Sequence, residues 1–323
     1  MRLGSALPEH PRLRIGRARR IAPADRALAL LVAGGGILRL RGLGRSLDHD
    51  EVFTWVQYAS LPWRLVARTY TAPNNHILHT YGAKLLGGLF GPSEWAIRLT
   101  ALAAGLLGLV AAHLLARTLT GSRRAGLLAA AVLALSPVHT AYSQQARGYT
   151  LLVLGSTACA WLAARAVADR QPGPSSATPG IPAGHAATTG CAPSRAWGNW
   201  LAAAAAGFLA ALALPSGAFL TAAVLAWAGG VLAARMVGAV GGRREAARRS
   251  APAWLAAGLL TAAGVLWVYL PLRAELQGHA ATWGTPLRQE PVRLLQTLAE
   301  AWAQVDPVGW PPVGGAVALA GAL

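Results

Sequence analysis

Long apolar runs separated by clusters of arginine constrain the fold of this chain more than any other feature. Hydrophobic residues make up 54% of the 323 residues and charged residues only 13%, whereas about a quarter of a soluble domain is usually charged. Apolar runs of this length are typical of helices that cross a membrane. We therefore predict an all-α, polytopic membrane protein.

The polar segments between these runs divide the chain into four regions. Residues 1–25 form a basic tail, 26–168 a core of four spans with an exposed loop at 46–94, 169–197 a flexible loop, and 198–323 about four further spans. The predicted spans are 26–43, 95–115, 125–137, 149–168, two helices within 200–237, 254–271 and an apolar run from Trp310. Because the chain stops within that run, we expect the last span to be incomplete.

The distribution of charge predicts the orientation in the membrane. The net charge of +17 does not indicate a nucleic-acid partner, because the basic residues lie in separate clusters and no nucleic-acid motif is present. The tail and the flexible loop are expected to be cytoplasmic, whereas 46–94 and 272–308 hold eight of the twelve acidic residues and should face the other side. We expect a multi-pass protein of the cell membrane with a cytoplasmic N-terminus.

An acidic cluster follows the first apolar run, at Asp48-His49-Asp50-Glu51. Apolar residues recur at helical spacing over 50–61, which predicts a short interfacial helix on the extracytoplasmic surface. Asp48 and Glu51 have the spacing of a capping box at its start. Alternatively, Asp48 and Asp50 could bind a divalent cation through carboxylate oxygens. Apart from that cation, the sequence indicates no cofactor.

Two further polar segments are predicted on the same side of the membrane. In the first, Asn75 and His76 lie at the start of a helix and are candidates for substrate hydrogen bonds, while His79 is expected in a solvated, interfacial position.

In the second segment, Arg147 precedes the fourth span, where free backbone N–H groups favour an anion such as phosphate. Alternatively, the Arg147 side chain could extend to the lipid headgroups. The neighbouring side chains that suit sugar hydroxyls are Tyr142, Gln144, Gln145 and Tyr149.

Together these groups match a sugar linked through phosphate to a lipid in the same bilayer. A carboxylate would take the proton from an acceptor hydroxyl that attacks the anomeric carbon. The arginine would stabilise the negative charge on the leaving phosphate.

The order of these motifs is similar to that of a known family. An Asp-Glu pair is followed by Pro-Asn-Asn-His, by Ser-Glu-Trp-Ala-Ile-Arg-Leu at 93–99, and by Ser-Pro-Val-His through Gln-Gln-Ala-Arg-Gly-Tyr at 136–149. This order resembles the GT-C glycosyltransferases that use polyprenyl-phosphate sugars, in the protein O-mannosyltransferase-like and aminoarabinose-transferase-like bacterial branch.

The resemblance implies a GT-C-like helical bundle and inverting transfer of mannose or a similar sugar on the extracytoplasmic face. It implies that Asp50 is the catalytic acid residue and Glu51 its partner, and Arg147 matches the arginine in the family's motif before the fourth span. His76 stands where many relatives have His-Pro, whereas this chain has Ile77 after it. The acceptor, which could be protein, lipid or polysaccharide, is left open.

The sequence is also compatible with two other functions. A transporter or flippase for lipid-linked glycans would place ionisable residues within its spans, whereas the acids here lie at a membrane edge. His113, inside the second span, is an exception. The third alternative is a non-catalytic membrane scaffold.

Overall fold

The chain forms a bundle of helices with a helical loop on one end. The structure, a computed structural model, describes residues 23–168, 195–238 and 242–283. Within those ranges it contains helices and no strand, which confirms the predicted all-α class. The helices are α1 (Pro23–Leu40), α2 (His49–Thr54), α3 (Trp63–Val66), α4 (Ile77–Phe90), α5 (Glu94–Thr120), α6 (Arg123–Leu135), α7 (Pro137–Ser143), α8 (Tyr149–Ala168), α9 (Arg195–Ala213), α10 (Gly217–Gly238), α11 (Gly242–Tyr269) and α12 (Arg273–Trp283).

Five helices in the described ranges are long and apolar enough to cross a membrane, namely α5, α8, α9, α10 and α11. They correspond to five of the predicted spans, and a turn at Pro215-Ser216-Gly217 separates α9 from α10. The predicted span at 125–137 is the 13-residue α6, which meets α7 at an angle of 66°. Counting that bent pair as one span gives up to six spans. The run from Trp310 and residues 169–194 lie outside the described residues.

The first predicted span, at 26–43, differs from the sequence-based expectation. Its helix, α1, is not among the membrane-crossing candidates, because Asp25, Arg26 and Arg39 all lie within its 18 residues. Arg39 is fully buried. Its guanidinium donates hydrogen bonds to carbonyl oxygens at the end of α6, of Leu133 and Ala134. Those carbonyls lack helical partners because α6 ends before Pro137, which has no N–H group. Arg39 therefore joins α1 to the break between α6 and α7.

The spans pack through small residues. Gly155 of α8 lies against α9, where a Cβ atom at this position would be 2.9 Å from the Ala206 carbonyl oxygen and 3.0 Å from the Ala210 Cα. Membrane helices associate through such close backbone approach, because lipid supplies no hydrophobic driving force between them. Also on α9, buried Trp200 donates from Nε1 to Ser250 Oγ of α11. Helix α9 is thus held between α8 and α11.

The segment between α1 and α5 folds over one end of the bundle. Helix α2 continues into a π-helical turn at Trp55–Ala59, and Trp55 packs against Gly87 of α4, where an added Cβ would come within 2.5 Å of the indole. Tyr58 accepts the Ala72 N–H at 2.7 Å and donates to the Ala72 carbonyl at 3.0 Å. These contacts place the π-helical turn beside α4 and the segment that precedes it.

The α8–α9 contact gives a stability prediction. In Gly155→Ala the new methyl group must displace the α9 backbone, so we expect a loss of about 1–3 kcal/mol and a lower melting temperature in detergent. The control is Gly230→Ala, since nothing lies within 4 Å of a Cβ at Gly230 and alanine favours the helix. Equal melting temperatures for the two variants would contradict this packing.

Candidate functional site

The start of α2 is determined by a capping box. Asp48 Oδ1 accepts the Glu51 N–H at 2.9 Å, and Glu51 Oε2 accepts the Asp48 N–H at 2.9 Å. Asp50 and Glu51 are therefore consecutive residues of the first helical turn, where neighbouring side chains point about 100° apart. The two carboxylates consequently have different surroundings and different partners.

Glu51 is buried and bound on all sides by the protein, with a relative exposure of 1%. Arg98 of α5 donates to it from Nε at 2.8 Å and from Nη2 at 2.5 Å. The Ala146 N–H donates to Oε1 at 2.5 Å. Burial raises the pKa of Glu51, but the hydrogen bonds from Arg98, Ala146 and Asp48 outweigh it and hold the pKa below its ordinary value. Glu51 thus joins α2, α5 and the segment before α8 as an ionised group.

Arg98 was not singled out from the sequence, although it lies in the 93–99 motif. Its Nη1 donates to the carbonyl oxygens of Leu43 and Arg45, and its Nη2 to that of Ser46. With the two bonds to Glu51, this guanidinium holds the chain that leads into α2. A lone arginine near the start of a long apolar helix was the available signal, because such a charge needs a buried partner.

Asp50 lies on the other side of α2 and meets Arg147, which is 97 positions away in sequence. Arg147 Nη1 donates to Asp50 Oδ2 at 2.6 Å, and the side chains are 19% and 37% exposed, respectively. Asn74 Nδ2 donates to Asp50 Oδ1 at 2.9 Å. Partial burial raises the pKa of Asp50. The Asn74 hydrogen bond, the Arg147 charge and His49 together lower it by more, so the pKa lies below its ordinary value. Asp50 is an ionised carboxylate that solvent can reach.

Two tyrosines lie beside Arg147. Its guanidinium carbon is 5.2 Å from the centroid of the Tyr149 ring, a cation–π arrangement. The Tyr142 and Tyr149 ring centroids are 4.4 Å apart. Within the described residues, Arg147 Nε is buried without a hydrogen-bond partner. The guanidinium therefore retains N–H donors beyond the one that binds Asp50.

His76 is buried at the edge of this cluster. Its Nδ1 lies 3.2 Å from the Ala213 carbonyl oxygen at the end of α9, and because a carbonyl only accepts, Nδ1 holds the proton. Burial and the Arg147 charge lower the pKa of His76 to about 4, so the imidazole is neutral at pH 7. Its ring is 5.4 Å from that of Tyr149.

The expected solvated position of His79 is wrong, since this residue has 0% exposure. It faces inward on α4, one turn after His76, and burial lowers its pKa to about 3. The alternation of polar and apolar residues near the helix start did not show which face packs against the bundle.

Two other predicted substrate-binding residues already have partners in the chain. Asn75 is 1% exposed, and its Nδ2 donates to the carbonyls of Val66 and Thr69 at 2.8 Å. Gln144 donates from Nε2 to the Arg39 carbonyl at 3.0 Å and accepts from Arg45 at 3.3 Å. The Asn75 bonds hold the segment before α4, and the Gln144 bonds hold the end of α1 and the segment that follows it. Gln145, in the same segment, is half-buried.

Asp48 and Asp50, the alternative ligands of a divalent cation, bind different groups within the chain. Asp48 caps α2, while Asp50 binds Asn74 and Arg147. The described residues contain no group of three or more His, Cys, Asp or Glu side chains that could hold a metal ion. A divalent cation at Asp48 and Asp50 thus stays a prediction, and any such ion would require ligands from outside this set.

Comparison with known families bears on the segment that contributes Asn74, Arg98 and Arg147. Residues 74–181 match the family model for dolichyl-phosphate-mannose-protein mannosyltransferase. This match confirms the resemblance to GT-C enzymes and supports a membrane glycosyltransferase of the mannosyltransferase type. The matched range is about one third of the chain and begins after Asp50. No curated protein and no solved structure matches the chain.

The buried Glu51–Arg98 pair gives a second stability prediction. Glu51→Gln leaves the Arg98 charge buried without a counter-charge, which should cost about 3–5 kcal/mol. Thermal unfolding in detergent should show it, together with a lower protein level in membranes. Asp50→Asn is the matched control, because Asp50 is partly exposed and should leave the melting temperature nearly unchanged. A Glu51→Gln protein as stable as the wild type would contradict the structural role.

Proposed function

We propose that this protein transfers mannose or a similar sugar from a polyprenyl-phosphate donor to an acceptor hydroxyl on the extracytoplasmic face, with inversion at the anomeric carbon. The observation behind the proposal is the 2.6 Å contact between a partly exposed carboxylate, Asp50, and a partly exposed guanidinium, Arg147. Both residues lie outside the five candidate spans, in segments that precede or follow them. The family match over residues 74–181 supports the same class of reaction.

The chemistry assigned to Asp50 is general-base catalysis. Its carboxylate accepts the proton of the acceptor hydroxyl while that oxygen forms a bond to the anomeric carbon. The bond between the anomeric carbon and the donor phosphate breaks in the same displacement, and the lipid phosphate leaves with the electron pair. Because the acceptor attacks opposite the leaving group, a single displacement inverts the configuration. Asp50 suits this role because it is ionised and reachable by solvent.

Arg147 is the group that receives the phosphate in this scheme. A guanidinium has five N–H donors in a planar fork that matches phosphate oxygens, and the contact with Asp50 involves one nitrogen. It can therefore contact Asp50 through one nitrogen and stabilise the negative charge that develops on the leaving phosphate through its other N–H groups. Tyr142, Tyr149 and Gln145 would surround the sugar.

Glu51 is assigned a positioning role in this proposal. Its carboxylate is enclosed by Arg98 and the Ala146 N–H, so it cannot reach a substrate without breaking those bonds. Ala146 directly precedes Arg147, and Asp50 directly precedes Glu51. One buried carboxylate thus determines where the catalytic carboxylate and the phosphate-binding guanidinium lie.

The proposed orientation follows from the charge distribution. The segment of α2–α4 faces away from the cytoplasm, the N-terminus is cytoplasmic, and the protein resides in the cell membrane, with membrane lipid and the lipid-linked donor as partners. This orientation requires α1 to cross the membrane although it is not one of the five candidate spans, with the Arg39 charge buried against the end of α6. A transporter of lipid-linked glycans is the rival function. The position of Asp50 and Arg147 outside the spans favours chemistry at the membrane surface over passage through the bilayer.

The role of Asp50 is tested by Asp50→Asn. We expect transfer of label from radiolabelled polyprenyl-phosphate mannose in membranes to fall by at least about a hundredfold, because the amide does not accept a proton. Protein level and melting temperature should be unchanged. Glu245→Gln on α11, which removes an exposed carboxylate distant in sequence, is the control and should retain transfer. Full activity of Asp50→Asn would exclude Asp50 as the base.

Replacement of Arg147 separates phosphate binding from contact with lipid headgroups. Arg147→Ala should raise the KM for the donor and lower kcat by about 10²–10³-fold, the loss typical of a group that stabilises developing charge. Arg147→Lys should fall between it and the wild type, since lysine keeps the charge but not the fork. Exposed Arg64 of α3 provides a control, Arg64→Ala. If donor kinetics are the same for both alanine variants, Arg147 interacts only with headgroups.

A further inference from the structure

Two neighbouring asparagines, Asn74 and Asn75, precede α4 and use their side chains differently. Asn75 is buried and bonds to the loop at Val66 and Thr69. Asn74 is partly exposed, and its Nδ2 donates to Asp50 Oδ1 at 2.9 Å. The sequence alone did not assign Asn74 a role, because an asparagine in a turn is common.

The backbone of Asn74 is held independently of its side chain. Its carbonyl oxygen accepts from Thr54 Oγ1 at 3.2 Å and from the His76 N–H at 3.0 Å. These two bonds connect the end of α2 to the start of α4. Truncation of the Asn74 side chain would therefore remove the contact with Asp50 while it leaves the path of the chain in place.

The contacts of Asp50 involve both of its oxygens. Asn74 binds Oδ1 and Arg147 binds Oδ2, and each oxygen keeps a second lone pair. In the proposed reaction the Arg147 guanidinium also binds the leaving phosphate, so its hold on Asp50 weakens when the donor is bound. The Asn74 amide, which carries no charge, does not respond to the phosphate and keeps its hydrogen bond.

We infer that Asn74 is a positioning residue that orients the Asp50 carboxylate and favours its ionised form. This inference rests on the proposed function, since it assigns the support of the base in that same site. Asn75, by contrast, stabilises the loop at Val66 and Thr69 through its hydrogen bonds to their carbonyl oxygens.

Loss of the Asn74 hydrogen bond should change the pH dependence of sugar transfer. The charged or titratable groups around Asp50 are Arg147, His49 and, further away, neutral His76. A hydrogen bond to an ionised carboxylate lowers its pKa, so loss of the Asn74 amide raises the pKa of Asp50. The base must be deprotonated, and therefore the acid limb of kcat/KM moves to higher pH in Asn74→Ala. In Asn74→Asp a second carboxylate faces Asp50, and the limb moves further in the same direction.

The experiment compares Asn74→Ala, Asn74→Asp and Asn75→Ala in membranes, with polyprenyl-phosphate mannose as the donor. We expect kcat of Asn74→Ala to fall by up to about a hundredfold, as for a misplaced catalytic group, with nearly unchanged protein level. Asn75→Ala should lower the protein level because it leaves buried carbonyls unpaired, while the acid limb of the remaining protein stays at the wild-type pH. An unshifted acid limb in both Asn74 variants would overturn the inference.

A second measurement does not depend on transfer. Water-soluble carbodiimide couples protonated carboxyl groups to an added amine, so mass spectrometry of the Asp50 peptide reports its protonation at each pH. The labelling midpoint should rise in Asn74→Ala, rise further in Asn74→Asp, and stay constant in Asn75→Ala. Equal midpoints in all three variants overturn the role of Asn74. Failure of the proposed function would instead appear as wild-type membranes that transfer no sugar while the midpoints still shift.

Discussion

The buried ion pair between Glu51 and Arg98 is the interaction on which the rest of the site depends. It connects the first turn of α2 to α5, and through the Ala146 N–H it reaches the segment before α8. A charge pair at 1% and 4% side-chain exposure is stable only when each remaining donor and acceptor is bound. The carbonyls of Leu43, Arg45 and Ser46 and the capping box meet that requirement.

The two acids of the Asp-Glu pair have different roles because consecutive side chains of a helix point about 100° apart. Glu51 faces the bundle and is enclosed, whereas Asp50 faces Asn74, Arg147 and solvent. In the proposed enzyme the first is structural and the second is the base. Asn74 and Asn75 differ for a similar reason, since the first side chain contacts Asp50 and the second contacts the loop at Val66 and Thr69. In both pairs, adjacent residues of similar chemistry differ in function because their side chains point to different environments.

The spans contribute to the site through their ends. The carbonyl of Ala213, the last residue of α9, holds the His76 ring, and Gly148 allows that approach, since a Cβ there would lie 2.5 Å from the same oxygen. Helix α9 is itself located by the close contact of Gly155 in α8. Packing between apolar helices thus determines the position of polar groups at the end of α9, far along the chain from the acidic cluster.

Composition and hydrophobic periodicity were sufficient to predict the all-α membrane class, five of the spans, the turn at Pro215-Ser216-Gly217 and the capping box of α2, because these depend on local propensity and on the length of apolar runs. The burial of Arg39, the partners of Arg98 and the inward face of His79 could not be predicted, since each depends on which helices become neighbours. The sequence by itself determined where the long apolar helices lie, and it indicated Asp50 and Arg147 as candidates for the proposed sugar transfer. Only the tertiary structure decided that Asp50 meets Asn74 and Arg147 while Glu51 and Asn75 bind the chain itself, because those contacts join segments separated by up to 97 positions, and local sequence contains no information on their distance in space.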